Sequence, residues 1–398
     1  MLEALKYEEF KWIWLGSFMS FIAMNMQMIT RSWLILRVTN DSPLALTAVT
    51  LTFALPMTLV SPFAGALADR LSRRKLIAIS QLLTAFFTCV LGVLDITQLV
   101  NYWHIMLIGV FNGSLMAINM PSRQALISDV VPDKSLMNAI SLNNSSMNLT
   151  RVLGPAFAGL LILLIDTAGV FFIVSVIYLL SALSVTLITA QNFNKSPKNS
   201  KVLSDVKEGL RYATEDPKLK GLFTITFIAV LFGFSYYALI PAWAREALNI
   251  KSDGLGVLLM IMGIGATIGT ILLATRGDTP NKGVILLCAA TAWGISLAIF
   301  AQVNTFLIAA PFLVFIGLTS SIFMSMNMSL IQLNSRKEMR GRIMSIAMMT
   351  FGLMPLSAVP FGIIAETIGT SNALSISGVL LATATVIFAI FNKSFRSL

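Results

Sequence analysis

Long apolar runs, each about the length of a bilayer crossing, alternate along this chain with short polar breaks. A spanning α-helix needs roughly 20 mostly apolar residues. Twelve segments meet that rule: 12–37, 44–67, 76–97, 103–127, 138–165, 168–190, 219–244, 254–275, 282–301, 305–332, 342–366 and 372–391. Most breaks are a few residues of turn formers, as in Asn40-Asp41-Ser42-Pro43, Val131-Pro132-Asp133 and Gly277-Asp278-Thr279-Pro280-Asn281. The exception is 191–218, polar and rich in Lys, Asn and Ser, whose amphipathic patch from Val202 to Ala213 predicts a short surface helix. The pattern predicts an all-α membrane protein of twelve transmembrane helices. They form two pseudo-symmetric six-helix halves, 1–190 and 219–398, joined by a cytoplasmic linker at 191–218.

Composition agrees with that reading, since only 12% of residues are charged and 56% are hydrophobic, against about 25% charged in soluble domains. The net charge of +10 raises nucleic acid as a partner, but the cations lie in short loops beside apolar runs, where membrane topology and anionic headgroups account for them. With the N-terminus inside, the inner loops receive Arg70, Arg73, Arg74, Lys75, Arg123, Lys134 and the basic linker. In the second half they receive Arg276, Lys282, Arg336, Lys337, Arg340, Arg342 and the tail cations Lys393 and Arg396. The outer loops receive only Arg37, Arg245 and Lys251, so both termini are expected in the cytoplasm. The first apolar run is too long for the core of a cleavable signal peptide. Cys89 and Cys288 sit in apolar runs and His104 is the one histidine, so no disulfide framework, metal set or cofactor is expected. Nor does the chain offer a nucleophile–base pair or a phosphate loop; an enzyme is not expected. Gly263 and Gly265 to Gly269 follow no strand and read as close helix packing. Asn40-Asp41-Ser42 reads as a chance match to a glycosylation sequon.

The two halves echo each other. Pro132-Asp133-Lys134, Asn138-Ala139-Ile140-Ser141 and Gly154-Pro155 recur at nearly the same spacing as Arg336-Lys337-Glu338, Arg342-Ile343-Met344-Ser345 and Met354-Pro355. Tandem six-span halves mark transporters that rock about a midplane site. A tight turn between the second and third spans, Gly65-Ala66-Leu67-Ala68-Asp69-Arg70-Leu71-Ser72-Arg73-Arg74-Lys75, is a small-residue helix end that runs without a spacer into one carboxylate and four cations. The cations hold the loop inside; Asp69 is not explained by topology, and a carboxylate there can accept from a neighbouring helix N-terminus and pair with Arg73.

That turn resembles the loop 2–3 motif of the major facilitator superfamily, G-x-L-a-D-r-x-G-r-k. Gly65, Leu67, Asp69, Arg70, Arg73 and Arg74 are in register, and Ser72 stands where the second glycine is usual. Gly154-Pro155 and Gly159 match part of the superfamily's helix-5 exporter motif, with Thr150 and Ala158 in place of two glycines. Leu44-Ala45-Leu46, Leu55-Pro56, Pro62, Pro121-Ser122-Arg123-Gln124-Ala125-Leu126 and Arg340-Gly341-Arg342-Ile343-Met344-Ser345 are similar to the branch of macrolide-efflux proteins and the enterobactin exporter, the type 3 drug:proton antiporters. The helix-4 arginine motif of proton-coupled exporters is absent; Gly109 and Asn112-Gly113 occupy its frame. The resemblance implies secondary active export of amphipathic small molecules, drugs or siderophore-like metabolites, from the cell (inner) membrane. It implies binding between the halves, an inner gate at Gly65, Asp69, Arg70, Arg73 and Arg74, and drive by protons. The expected partners are a small-molecule substrate, the lipid bilayer and protons, with no nucleic acid, and the protein is expected to be a monomer.

Individual residues carry two readings each. Arg31, mid-span, costs on the order of 2.5–3.5 kcal/mol to insert, so it either packs against carbonyls and Asn side chains or serves gating or an anionic group of the substrate. Arg151, three residues before Gly154-Pro155, is structural or gating. No Asp or Glu falls near a span centre; Asp95, Asp166 and Glu366 lie near outer helix ends and Asp129 near an inner one. Asp129 and Glu366 are the candidates for proton coupling, and without them the protein is a uniporter or uses another ion. On the helices the resemblance assigns to the cavity, the candidates are Asn25, Asn112, Asn119, Tyr236, Tyr237, Asn327 and Gln332, with Gln27 and methionines such as Met24, Met26, Met116, Met324 and Met326 among them. Methionine suits an adaptable surface, though packing explains any single one. Asn143, Asn144 and Asn148 read as interhelical hydrogen bonds. The rival functions are an uptake transporter or lipid flippase of the same fold and, more distantly, a non-transporting receptor.

Overall fold

The computed structural model of the protein describes residues 3–188, 202–276, 281–336 and 353–392, and also 339, 343, 344, 346, 347, 349, 350 and 395. Within these the side chains at 62, 65, 66, 68–70, 133, 134, 137, 202–207, 274, 276, 355 and 356 are outside the description. After a 3-10 turn at Glu3–Lys6 come α1 (Glu8–Val38), α2 (Pro43–Arg70), α3 (Arg73–Ile96), α4 (Tyr102–Val130) and α5 (Asp133–Thr186). A straight helix of α5's 54 residues would measure about 80 Å against a hydrocarbon core of about 30 Å, so it has to break. It does so at Asp166 (φ 58°, ψ 176°), which separates the fifth span from the sixth.

The amphipathic patch forms α6 (Val202–Glu215). The seventh span is composite: α7 (Pro217–Ile228), a π turn at Ala229–Gly233 and α8 (Ser235–Leu248). Then follow α9 (Ser252–Arg276), α10 (Lys282–Phe300), α11 (Phe306–Asn334), α12 (Met354–Ile368) and α13 (Thr370–Phe391). Ten helical stretches are long and apolar enough to cross a membrane; α5 supplies two spans and the shorter Ser357–Ile368 another, which makes twelve.

Side-chain distribution is that of a protein dissolved in lipid. Large apolar groups point outward, with Phe63, Leu307 and Phe391 at least three-quarters exposed, while Asn25, Gln27, Gln81, Asn112 and Asn119 are buried. In hydrocarbon the polar groups must find partners inside the bundle, and small residues let the backbones approach closely enough to supply them.

The chain forms two compact units. The first comprises Met1–Asp41, Ala48–Lys198 and Ile250–Met260; in it α1 lies along α5, and α3 packs on α4 and α5. Its apolar floor joins Phe10, Ile13, Ile77, Leu126 and Ile127, and the N-terminal turn is tied down where Ala4 N–H donates to Asn138 Oδ1 at 2.9 Å. The second comprises Ser42–Thr47, Asn199–Asn249 and Ile261–Leu398, with α10 packed between α11 and α13.

Candidate functional site

The first unit encloses a polar slot built from two matching stripes. On α1, Ser20, Met24, Gln27 and Arg31 follow one another at intervals of four and three, which puts them on one helix face. On α4, Asn112, Met116, Asn119 and Arg123 repeat that spacing. Gln81 of α3, Tyr178 of α5 and Phe53 of α2 close the slot. Gln27 Nε2 donates to Thr88 Oγ1 (2.7 Å), Tyr178 OH to Gln27 Oε1 (3.2 Å), and Gln81 Nε2 to Ser20 Oγ (2.7 Å). Asn119 Nδ2 donates to Ser80 Oγ at 2.8 Å. Two buried amide oxygens, Gln81 Oε1 and Asn112 Oδ1, have no hydrogen-bond partner among the described residues. The open volume is about 20 Å³. That admits a water-sized group and is far below the roughly 300–1,000 Å³ of a site for a drug-sized ligand, so the slot can grip one group of a ligand, not a whole one.

An arginine stands at each end of the slot, and their surroundings differ. Arg123 was expected among the loop cations, yet it lies inside α4 and is 2% exposed, because that helix runs on to Val130. Neutral oxygens cradle it: Ser17 Oγ at 3.1 Å, Asn119 Oδ1 at 3.3 Å and Ser181 Oγ at 3.4 Å. Gly16 makes room for the cradle, since a Cβ there would lie 2.2 Å from Ser184 Oγ. Arg31, 9% exposed, has its guanidinium 5.1 Å from the centre of the Phe53 ring and no hydrogen-bond acceptor or carboxylate partner among the described residues. A cation–π contact returns about 0.5–2 kcal/mol, less than the on the order of 2.5–3.5 kcal/mol that an intramembrane arginine costs. Ring contact alone leaves Arg31 under-satisfied.

The remaining sequence candidates are distributed as follows. At the turn between α2 and α3 the side chains of Asp69 and Arg70, and Gly65, lie outside the described residues, as does Arg276-Gly277-Asp278. Only Leu71 and Ser72 separate the two helices, and Ser72 is the N-cap of α3 with extended backbone (φ −61°, ψ 111°), its hydroxyl accepting from Lys75 N–H. An N-cap favours serine, which is why glycine is dispensable at this position of the motif. Arg73 Nη1 forks onto Asp129, at 2.6 and 2.7 Å from its two oxygens, and Arg74 donates to the Thr186 carbonyl at the end of α5.

The helix-5 motif packs. A Cβ on Gly154 would lie 2.5 Å from Asn25 Cβ, and one on Gly159 2.4 Å from the Ser252 carbonyl oxygen; Gly256 of α9 in turn approaches the Pro155 carbonyl. Asn25 donates back to Phe21 O at 2.8 Å within α1, and Arg151 is exposed.

In the second unit Tyr236 is buried and Tyr237 half exposed, with ring centroids 4.7 Å apart, and Trp293 stands edge-on to Tyr236. Gly233, in the π turn, abuts Trp293. Asn327 is fully buried and donates to Thr226 Oγ1 at 2.7 Å, whereas Gln332 is exposed. Glu366 accepts from Ser42 Oγ (2.9 Å) and Leu44 N–H (3.3 Å), which places its charge on the N-terminus of α2.

Sequence reading did not single out Gln81 or Tyr178, counted Arg123 with the inner-loop cations, and did not bring together a cluster at the far end of the first unit. There Arg37 Nη1 donates to Asp166 at 2.9 Å while Nη2 reaches Thr167 and the fully buried Asp95. Asp166 also accepts from Thr167 N–H at 2.6 Å, which holds its left-handed backbone in place.

Residues 2–395 match the family described as Transmembrane secretion effector. The staphyloferrin A transporter of Staphylococcus aureus is 25% identical, with 97% of each chain covered. Macrolide efflux protein A of Streptococcus pyogenes is 21% identical over 97% of this chain and 96% of its own, and the multidrug efflux pump Tap of Mycolicibacterium fortuitum 23% identical over 89% of each. Among solved structures, the nucleoside transporter NupG superposes with a TM-score of 0.76 at 13% identity, covering 97% of this chain and 99% of that one. A bacterial homolog of the lysosomal transporter Spinster gives 0.71 at 15% identity over 98% and 96%. At such identities these structures speak for the fold alone, while the family match runs nearly end to end: the chain is a multi-pass membrane transporter of the major facilitator superfamily and belongs to its Transmembrane secretion effector family.

Proposed function

We propose that the protein exports amphipathic small molecules, of the drug or siderophore kind, across the cell membrane by alternating access. The observation that carries this reading is the polar slot inside the first unit, whose outer surface is apolar, with unspent hydrogen-bonding capacity at Asn112 and Gln81. Relatives named for macrolide, multidrug and staphyloferrin A transport support the cargo class. In this reading the chain is a monomer with both termini in the cytoplasm, two halves at 1–190 and 219–398, and the linker 191–218 between them. The inner gate is the α2–α3 turn, where Arg73 and Asp129 form the accessible part of the latch; Gly65, Asp69, Arg70 and Arg74 complete it, and Gly154, Pro155 and Gly159 give helix 5 its sliding surface.

Export is tested by dye or macrolide efflux from cells expressing the protein, with and without a protonophore. Energy-dependent efflux above the empty-vector level is expected. Net uptake under the same conditions would replace export with import, and lipid scrambling with no efflux would replace it with a flippase.

Asp129 and Glu366 remain the carboxylates proposed to couple protons. Asp129→Asn is expected to slow efflux severalfold at normal expression, since Arg73 loses the carboxylate onto which it forks. Wild-type efflux in that variant would remove Asp129 from both gate and coupling.

A further inference from the structure

Two under-satisfied groups of the first unit, Arg31 and Asn112, meet at Phe53. Arg31 brings a guanidinium with five N–H donors, buried and without an acceptor among the described residues. Asn112 brings an amide that is 3% exposed and whose Oδ1 has no hydrogen-bond partner among the described residues. Phe53 joins them: its ring lies under Arg31 and lines the same slot as Asn112, and its backbone is in close contact with Gly113. Arg123, at the other end, adds positive potential, but each of its three nitrogens already donates, to Asn119, Ser17 and Ser181. A buried cation with unspent donors, beside apolar walls at Met24 and Met116, is complementary to an anion carried on a greasy body.

We propose that Arg31 is the recognition point for a single carboxylate on the transported molecule, so that the cargo class is amphipathic acids. Arg31 donates to the carboxylate where the Phe53 ring borders the slot, Asn112 Oδ1 and Gln81 Oε1 accept from N–H or O–H groups of the cargo, and the apolar remainder lies on Phe53 and the methionines. The proposal rests on the reading of this slot as the cargo site, and it specifies the charge of the cargo.

The test is equilibrium binding to the purified full-length protein in neutral detergent, read by dansyl fluorescence. The probes are dansylaminoundecanoic acid and its methyl ester, which differ in the carboxylate charge. The wild-type protein is expected to bind the acid about tenfold more tightly than the ester, as one desolvated charge-assisted contact warrants. Arg31→Gln is expected to abolish the preference for the acid over the ester, with a monodisperse size-exclusion profile and wild-type helical circular dichroism reporting that the variant is folded. Arg31→Lys retains part of the preference, and it decides the matter should the glutamine variant fail to fold: a reduced acid-over-ester ratio supports the assignment, and an unchanged ratio overturns it. Equal binding of acid and ester by the wild type, or an acid preference that survives Arg31→Gln, also overturns it. Because binding in detergent has no direction, failure of the export reading shows in cells and failure of this one shows here.

Discussion

Arg37→Ala should destabilise the protein by on the order of 3 kcal/mol, the low end of what breaking a buried ion pair costs. The reason is the company Arg37 keeps: it holds Asp95, which is 1% exposed, and Asp166, which is mostly exposed, in one fork with Thr167. Removing the cation leaves the Asp95 carboxylate buried without its charge partner, and it also releases Asp166, whose positive φ separates the fifth and sixth spans. The low end applies because Arg37 itself is 35% exposed and water screens part of the pair. Thermal unfolding of purified protein reads the effect, with Arg37→Lys expected in between. A loss under about 0.5 kcal/mol, the size of an ordinary surface substitution, would mean that the cluster is ornamental.

Gly113→Ala is the second large effect. A methyl there would sit 1.9 Å from the carbonyl oxygen of Phe53 and 2.8 Å from its carbon, so α2 and α4 have to separate. Overpacking of this kind costs typically 1–3 kcal/mol, but the greater loss is functional, because Phe53 carries the ring beneath Arg31. Efflux is expected to fall at least tenfold, where a backbone displacement of about 1 Å near a site can cost a hundredfold. Gly109→Ala provides the comparison: its methyl meets the Thr52 hydroxyl at 2.6 Å, a group that can rotate aside, so a mild effect is expected. Equal behaviour of the two variants would refute the backbone argument.

The same pair of glycines shows where the sequence is legible and where it is not. Hydropathy alone places the spans, because the length of an apolar run and the thickness of a bilayer are a one-dimensional match; α6 and the break near 166 follow from polarity in the same way. Gly109 and Gly113 could be read only as the vacancy left by a missing arginine motif, although their four-residue spacing is itself a helix-packing signal. Arg123 was counted with the loops, since nothing adjacent in sequence marks it as buried; its acceptors come from α1, from one turn back in α4 and from the sixth span. Gln81 and Tyr178 are single polar residues in helices that no motif distinguishes, and only the fold brings them to Gln27 and Ser20. Arg31 was visible from the start, because charge in the middle of a span is costly wherever it lies. Its lack of an acceptor was not, for that requires every neighbour to be placed.

A buried guanidinium with no carboxylate beside it also sets the sign of the electrical work. If the cargo is a monoanion, carrying it out of a cell whose interior is negative runs with the membrane potential, which contributes about 2.3 kcal/mol per charge at 100 mV. That corresponds to roughly a fiftyfold concentration ratio, reached without any titrating side chain in the spans. The absence of mid-span Asp or Glu in the sequence then ceases to be a gap in the machinery. An anion exporter built around Arg31 can draw on voltage where a neutral-drug exporter must draw on protons.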